Sequence, residues 1–125
     1  MIRLLTGFPE NVLAVACEGH VTRKDYADVL IPAVTAALQR HEKLRVYYEV
    51  TPQFTGIDAG AVWEDFRIGI EHLPRYERMA CVTDVEWMRL AVNAFRFLMP
   101  GVLRVFPVSE AAVARRWIAA DNGSP

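Results

Sequence analysis

Strand patterns alternate with helix patterns along almost the whole chain, and this order restricts the possible folds more than any other feature. Five short, largely apolar runs predict strands over residues 2–6, 12–18, 44–50, 78–83 and 103–106. Apolar residues at helical spacing predict four helices, over residues 22–38, 58–73, 86–98 and 112–119. The first two runs are close enough to form a hairpin, whereas the later strands are separated by helices and need right-handed parallel crossovers. The sequence therefore predicts one α/β domain over residues 1–120 with a mostly parallel, mixed sheet, followed by a loose tail over residues 121–125.

Polar caps and prolines indicate where the predicted elements begin and end. Thr22, followed three residues later by Asp25, has the form of a capping box. The predicted N-caps of the later helices are Asp58, Asp84 and Ser109. Thr51-Pro52 is expected to end the third strand, because proline cannot donate to a strand ladder. Pro32 lies inside the first helical pattern, which predicts a kink there or a second helix start with Pro32 in its first turn.

Composition argues against a membrane span, a disulfide scaffold and a nucleic-acid-binding protein. The chain is 53% hydrophobic, yet no run approaches the roughly 18 apolar residues that a membrane-spanning helix needs. Its 14 basic and 15 acidic residues leave a formal net charge of -1, which creates no general attraction for nucleic acid. Cys17 and Cys81 each lie in an apolar run and are predicted to be buried free thiols of a reducing compartment. The expected location is the cytoplasm, with peripheral contact to a membrane left open.

Several stretches that carry a family resemblance are distributed along nearly the whole chain. They are residues 41–49 (HEKLRVYYE), 54–56 (FTG), 61–65 (AVWED), 82–87 (VTDVEW) and 98–101 (LMPG). In this order they resemble the small bacterial SpoIIAA-like proteins. The resemblance implies the STAS-type fold of the anti-sigma factor antagonists, which is related in shape to the CRAL-TRIO lipid-carrier fold. It implies no settled activity, and it favours a dimeric, ligand-binding protein that can associate with a membrane.

The resemblance also implies a regulatory switch, which in STAS proteins is a serine at the start of the second helix. Here Asp58-Ala59-Gly60 has alanine in the serine position, and the only serines are Ser109 and Ser124. Thr51 and Thr55 are the remaining candidate hydroxyls, and we interpret them as turn residues with local hydrogen bonds. A regulatory protein-interaction module that lacks the usual phosphorylatable serine is therefore the alternative function.

The sequence shows no assembled catalytic or metal-binding motif. His20, His41 and His72 lie outside any nucleophile motif, and Cys17 with His20 has no second pair to complete a tetrahedral zinc site. Four carboxylates that we interpret as solvated helix-face and helix-start charges are Glu64, Asp65, Asp84 and Glu86. We therefore expect no enzymatic activity, no cofactor and no metal. A carboxylate that projects into an apolar pocket with a strongly shifted pKa would reopen the question of catalysis.

The third predicted helix is apolar over too much of its circumference. Its apolar side chains spread over about 220°, and the polar stripe of Arg89, Asn93 and Arg96 over about 60°, whereas covering a sheet needs only somewhat more than about 100°. The surplus predicts a neighbour besides the sheet. Three neighbours remain open, namely the second helix through Trp63 and Phe66, a second subunit, or a groove for a small apolar molecule.

The leading hypothesis is a non-enzymatic binding module for a small hydrophobic or lipid-like ligand, or for a membrane surface, through the second and third helices. The predicted ligand-binding residues are Phe54, Trp63, Phe66, Ile70, Trp87, Leu90, Phe95 and Leu98. The predicted contact residues of a homodimer are Met88, Val92, Phe97 and Met99. Nucleic acid is not an expected partner.

Overall fold

A five-stranded sheet organises the chain, in a computed structural model that describes residues 1–120. The strands are β1 (Ile2–Leu4), β2 (Val12–Val21), β3 (Leu44–Ile57), β4 (Tyr76–Val82) and β5 (Val102–Phe106), in the order β1-β2-β3-β4-β5. β1 pairs antiparallel with β2, and every other neighbouring pair is parallel. The predicted mixed sheet of an α/β domain is therefore confirmed, and the predicted tail over residues 121–125 lies outside the described residues.

Four helical segments connect or follow the strands, as predicted. The first is α1 (Arg23–Asp25), which continues through a π-helical turn (Tyr26–Leu30) into α2 (Ile31–Arg40). The others are α3 (Ala59–Glu71), α4 (Glu86–Phe95) and α5 (Ala111–Ala119), and two 3-10 turns lie at Leu73–Arg75 and Val108–Glu110. The second and third predicted helices are thus α3 and α4. Within residues 1–120, no helix is both long and apolar enough to cross a membrane.

The first helical segment begins and accommodates its proline as the sequence predicts. Thr22 Oγ1 accepts a hydrogen bond from the Asp25 amide at 3.1 Å, and Asp25 Oδ2 accepts one from the Thr22 amide at 2.8 Å, which is a complete capping box. The Ile31 amide bonds to the Tyr26 carbonyl through the wider π turn. Pro32 then lies in the first turn of α2, where its missing N–H would have no helical partner in any case.

The structure corrects the predicted caps of the later helices. Asp58 occupies the N-cap position of α3, but its carboxylate hydrogen-bonds His20 Nε2 at 2.6 Å and no helix amide. Asp84 is not the N-cap of α4, because that position is occupied by Val85. Asp84 Oδ1 accepts instead from the Val108 amide at 3.0 Å. Ser109 lies inside a 3-10 turn and does not cap α5. Short polar side chains mark these helix starts, but tertiary partners bind the oxygens of Asp58 and Asp84.

Strand β3 continues to Ile57, so the prediction that Thr51-Pro52 ends it is wrong. β4 pairs with β3 only as far as Glu49, and the β2 register shifts opposite this segment, so Pro52 has no paired residue on either side. A proline is tolerated where no ladder hydrogen bond is required of it. Thr51 and Thr55, predicted as turn residues, therefore lie in a strand, and Thr51 Oγ1 donates to the Cys17 carbonyl at 3.1 Å.

The helices cover the two faces of the sheet unequally. α5 packs over one face, where the buried cluster includes Tyr47, Val82 and Phe106. The helical segment from α1 to α2, together with α3 and α4, lies over the other face, whose two buried clusters share Leu13 and Leu38. Because three helical segments share this face, any gap between them opens directly onto the sheet.

Candidate functional site

A gap of this kind lies between α3 and α4, and we call it the α3–α4 groove. It has a cavity volume of about 220 Å³. Its floor is formed by side chains of β3, β4 and β5, among them Tyr48, Met79 and Leu103, and its back wall by the first helical segment. Most side chains that line it are aliphatic or aromatic, as in ligand-binding pockets generally.

The shape of the groove follows from how closely the two helices approach each other. A Cβ placed on Gly69 would lie 3.2 Å from Phe95 Cζ, so the Phe95 ring reaches from α4 to α3 near the carboxyl ends of both helices. Near their amino ends, Val62 and Trp87 line the walls from the two helices and remain 40% and 48% exposed. The groove is therefore closed at one end and open to solvent at the other.

The aromatic residues of α3 do not fill the space beside α4. Trp63 and Phe66 stack on each other, with ring centroids 6.2 Å apart, and are 60% and 50% exposed. Of these two rings, Phe66 lines the groove that α4 borders, whereas Trp63 lies outside it. The surface of α4 that faces α3 borders a cavity.

The predicted site residues are divided between the groove and its surroundings. Those predicted to bind ligand that line the groove are Phe66, Trp87 and Phe95, and those outside it are Phe54, Trp63, Ile70, Leu90 and Leu98. Among the predicted dimer contacts, Met88 and Val92 also line the groove, whereas Phe97 is 84% exposed and Met99 is buried in the core. Phe54 lies beside a second recess with Thr51 and Asp84. The ligand and dimer contacts themselves stay predictions.

A chain of hydrogen bonds leads from the sheet into the groove and ends on Asp65 of α3. Asp65 Oδ1 accepts from the Tyr26 hydroxyl at 3.0 Å, and the Tyr26 and Tyr48 hydroxyls are 2.8 Å apart. Because Tyr26 uses its proton for Asp65, Tyr48 must donate to Tyr26. The Cys17 thiol adjoins the Tyr48 hydroxyl at the buried end of the chain. A polar group is thus held in place inside an otherwise apolar groove.

The surroundings of these hydrogen-bonded groups raise the pKa of each of them. Asp65 is an exposed residue that faces the open groove. The protein atoms packed around its carboxyl nevertheless raise its pKa to about 6 by desolvation, although the Tyr26 hydrogen bond opposes the shift. Burial likewise raises the pKa of Cys17 to about 12 and the pKa values of Tyr26 and Tyr48 well above 10. At neutral pH the thiol and both phenols are therefore protonated, and Asp65 is the group that titrates near neutrality.

Asp65 is the groove residue that the sequence interpretation did not single out: it is exposed, as expected of a helix-face charge, but it faces the groove. Val62, Asp65, Phe66 and Gly69 follow the i, i+3, i+4, i+7 spacing of one helix face, so the carboxylate lies within an apolar stripe. Its sequence neighbour Glu64 does not line the groove and is buried, so the interpretation of Glu64 as a solvated charge is wrong. Arg67 binds Glu64 at 2.7 Å and holds its pKa below the usual range. A carboxylate inside an apolar stripe was the available signal.

Asp65 also meets the condition under which catalysis would be reconsidered, a carboxylate in an apolar pocket with a shifted pKa. Its neighbours supply no activated nucleophile, because the raised pKa of Cys17 keeps the thiol protonated and buried. Cys17 and Cys81 are both free and buried, as predicted. The arrangement can therefore bind a polar group and accept or release one proton, at the end of an apolar site.

We expect Asp65→Asn to be more stable than the natural protein above pH 6. The raised pKa means that the folded protein holds this proton more tightly than the unfolded chain, so the free energy of unfolding of the natural protein falls as pH rises from about 4 to about 6. Asparagine keeps an acceptor for Tyr26 and carries no charge, so the advantage of the variant should shrink as pH falls through this window. Urea denaturation at pH 8, 6 and 4 measures the difference.

The control for this prediction is Asp28→Asn, which changes an exposed carboxylate paired with Lys24. Its stability difference should stay within about 0.5 kcal/mol of the natural protein at each pH, as expected for an exposed i,i+4 pair. A stability difference for Asp65→Asn that is independent of pH would show that the Asp65 carboxyl does not titrate in this window.

A mixed sheet with helices on both faces, and an apolar groove between two of them, supports a binding or regulatory α/β module. The chain belongs to the SpoIIAA-like family, whose family model matches residues 12–119. Proteins of this family are generally non-enzymatic. Membership confirms the resemblance that the sequence motifs indicated.

A solved structure with the same fold supports this assignment. The chain is similar to an uncharacterised protein of the DUF3478 family with a SpoIIAA-like fold from Shewanella loihica PV-4, with a TM-score of 0.74 and 21% sequence identity. The similarity covers 94% of this chain and 93% of that one. No curated protein matches the chain. At this level of identity, the likeness establishes the fold.

Proposed function

We propose that the protein binds a small hydrophobic or lipid-like molecule in the α3–α4 groove. The observation that carries the proposal is a cavity of about 220 Å³ between two helices, lined mainly by apolar side chains and open at one end. For comparison, an engineered apolar cavity of about 150 Å³ binds benzene. The groove is therefore large enough for a ring or a short alkyl chain.

The energetics of burial support binding of modest strength. Each methylene group removed from water contributes about 0.8 kcal/mol, so a chain of about six methylenes gains roughly 5 kcal/mol, which corresponds to a submillimolar dissociation constant. Exposed apolar residues near the groove extend the apolar surface available to a longer molecule or to a membrane that delivers it. The most exposed of them are Phe97, Leu90 and Trp63.

Filling the groove from α4 should weaken ligand binding. Ala91 lines the groove and Ala94 does not, although both are exposed residues of the same helix. Ala91→Phe is expected to weaken binding of uncharged 1-octanol at least about tenfold by occupying the cavity, whereas Ala94→Phe should bind as the natural protein does. Tryptophan fluorescence titration measures both affinities, because Trp87 lines the groove.

Two further measurements determine what the titration means. Thermal unfolding of both variants establishes that each is folded, and native mass spectrometry of protein purified from cells identifies any bound molecule. Equal affinities for Ala91→Phe and Ala94→Phe would contradict binding in this groove. If in addition no bound species were found in protein from cells, the regulatory protein-interaction role would become the favoured function.

A further inference from the structure

Asp65 distinguishes the α3–α4 groove from a purely apolar cavity, and we infer that the groove binds amphipathic molecules with a protonated amine as head group, held by the Asp65 carboxylate. This inference rests on the proposed function, because it specifies the head group of a ligand in the same groove. It assigns a chemical class of ligand from the polar end of the site.

The first argument is the unused hydrogen-bonding capacity of Asp65. Its Oδ1 accepts from Tyr26, and its Oδ2 belongs to an exposed side chain at the groove and forms no hydrogen bond with another residue among residues 1–120. The carboxyl lines the cavity, so this oxygen is available to a ligand. A carboxylate oxygen in a low-polarity site forms its strongest hydrogen bonds with charged donors, and an ammonium group offers three.

The second argument is the charge balance around Asp65. The titratable groups packed near it are Tyr26 from the π turn, Cys17 from β2, Tyr48 from β3, and Tyr76 and Cys81 from β4. Each of these has a raised pKa and is neutral at pH 7. From α4, Arg89 donates to the Thr83 carbonyl at 2.9 Å, and on α3 itself Arg67 pairs with Glu64 and Glu71.

Asp65 is thus the only charged side chain that lines the groove in the described part of the chain, and it has no cationic partner there. An uncompensated carboxylate in an apolar site is unfavourable, and a cationic head group removes that cost. An anionic head group would instead bring a second negative charge close to the first.

The third argument is the aromatic lining. Phe66, Trp87 and Phe95 come from the two helices that enclose the cavity. Aromatic faces attract ammonium groups through their quadrupole, most strongly when the cation is desolvated. The lining therefore favours the same head group as the carboxylate does.

The test compares ligands that share one alkyl chain and differ only in head group. Octylammonium, uncharged 1-octanol and octane-1-sulfonate are titrated by tryptophan fluorescence between pH 5 and pH 8. At pH 8 octylammonium should bind about tenfold more tightly than 1-octanol, and octane-1-sulfonate should bind most weakly. Because Asp65 has a pKa of about 6, the preference for octylammonium should decrease as pH falls through that value, while 1-octanol changes little.

Two variants separate the Asp65 carboxylate from general surface charge. Asp65→Asn keeps the acceptor for Tyr26 and should remove both the tenfold preference and its pH dependence, while 1-octanol still binds. Asp28→Asn removes an exposed carboxylate paired with Lys24 and should leave every affinity unchanged. If 1-octanol and octylammonium bind equally and Asp65→Asn has no effect, the head-group inference is overturned and the proposed function stands. If neither compound binds to the natural protein, both are overturned.

Discussion

Gly101→Ala is expected to lower the free energy of unfolding by at least about 3 kcal/mol. A Cβ at this position would lie 2.4 Å from the Tyr76 carbonyl oxygen and 2.5 Å from that of Glu77. Both obstacles are backbone atoms, so no change of rotamer relieves the contact. The backbones cannot separate either, because Arg78 and Val102 are paired immediately beyond them. Urea denaturation, analysed for a change of midpoint at constant slope, measures the loss.

A matched glycine substitution provides the control. Gly60 lies in the first turns of α3, and the atoms nearest to an added Cβ belong to the flexible side chain of Arg23, at 3.2 Å or more. Gly60→Ala should therefore be neutral or stabilise the protein by up to about 1 kcal/mol through the higher helix propensity of alanine. A Gly101→Ala protein as stable as Gly60→Ala would contradict the proposed steric requirement.

Arg45→Met is expected to destabilise the protein by about 3 kcal/mol, although methionine keeps most of the buried stem. Arg45 is 4% exposed, and its Nε donates to Glu77 Oε1 at 2.8 Å. Its Nη1 donates to the Ile118 carbonyl at 3.0 Å and to the Ala120 carbonyl. One guanidinium thus satisfies a carboxylate and two carbonyls at the end of α5. Methionine removes all three hydrogen bonds, although the Ala120 carbonyl keeps a longer one from Arg78 Nη1 at 3.4 Å. Urea denaturation measures the loss, and amide hydrogen exchange should show weaker protection in α5.

The control is an arginine whose ion pair is open to solvent. Arg3 pairs with Glu18 on the surface, and its side chain is 52% exposed. Arg3→Met should therefore cost less than about 1 kcal/mol and leave the protection of α5 unchanged. The proposed role of Arg45 would be refuted if both variants lost the same small amount of stability.

The prediction from sequence succeeded where structure depends on neighbours along the chain. The capping box of Thr22 and Asp25 forms as expected, because all its atoms lie within four residues. Pro32 is found in the first turn of a helix, one of the two outcomes that its fixed geometry allows. The order of strands and helices follows from apolar periodicity, and it determined the fold class.

The prediction failed where distant groups compete for the same atoms. Asp58 and Asp84 have the right residue type for helix caps, but His20 and the Val108 amide bind their carboxylates instead. β3 continues past Pro52 because β2 leaves Pro52 itself unpaired and pairs with β3 again from Phe54, which no local pattern indicates.

The candidate site shows the same division most clearly. The sequence by itself determined that α4 carries more apolar surface than a sheet can cover, and that the chain has the motifs of the SpoIIAA-like family. Only the tertiary structure decided that this surplus encloses a groove and that Asp65 lies in it with a pKa of about 6. Helical periodicity specifies the direction of a side chain relative to the axis of the helix that carries it. The distance to the next helix, and the polarity that sets the pKa of a carboxyl group, depend on residues that are remote in sequence and meet only in the folded protein.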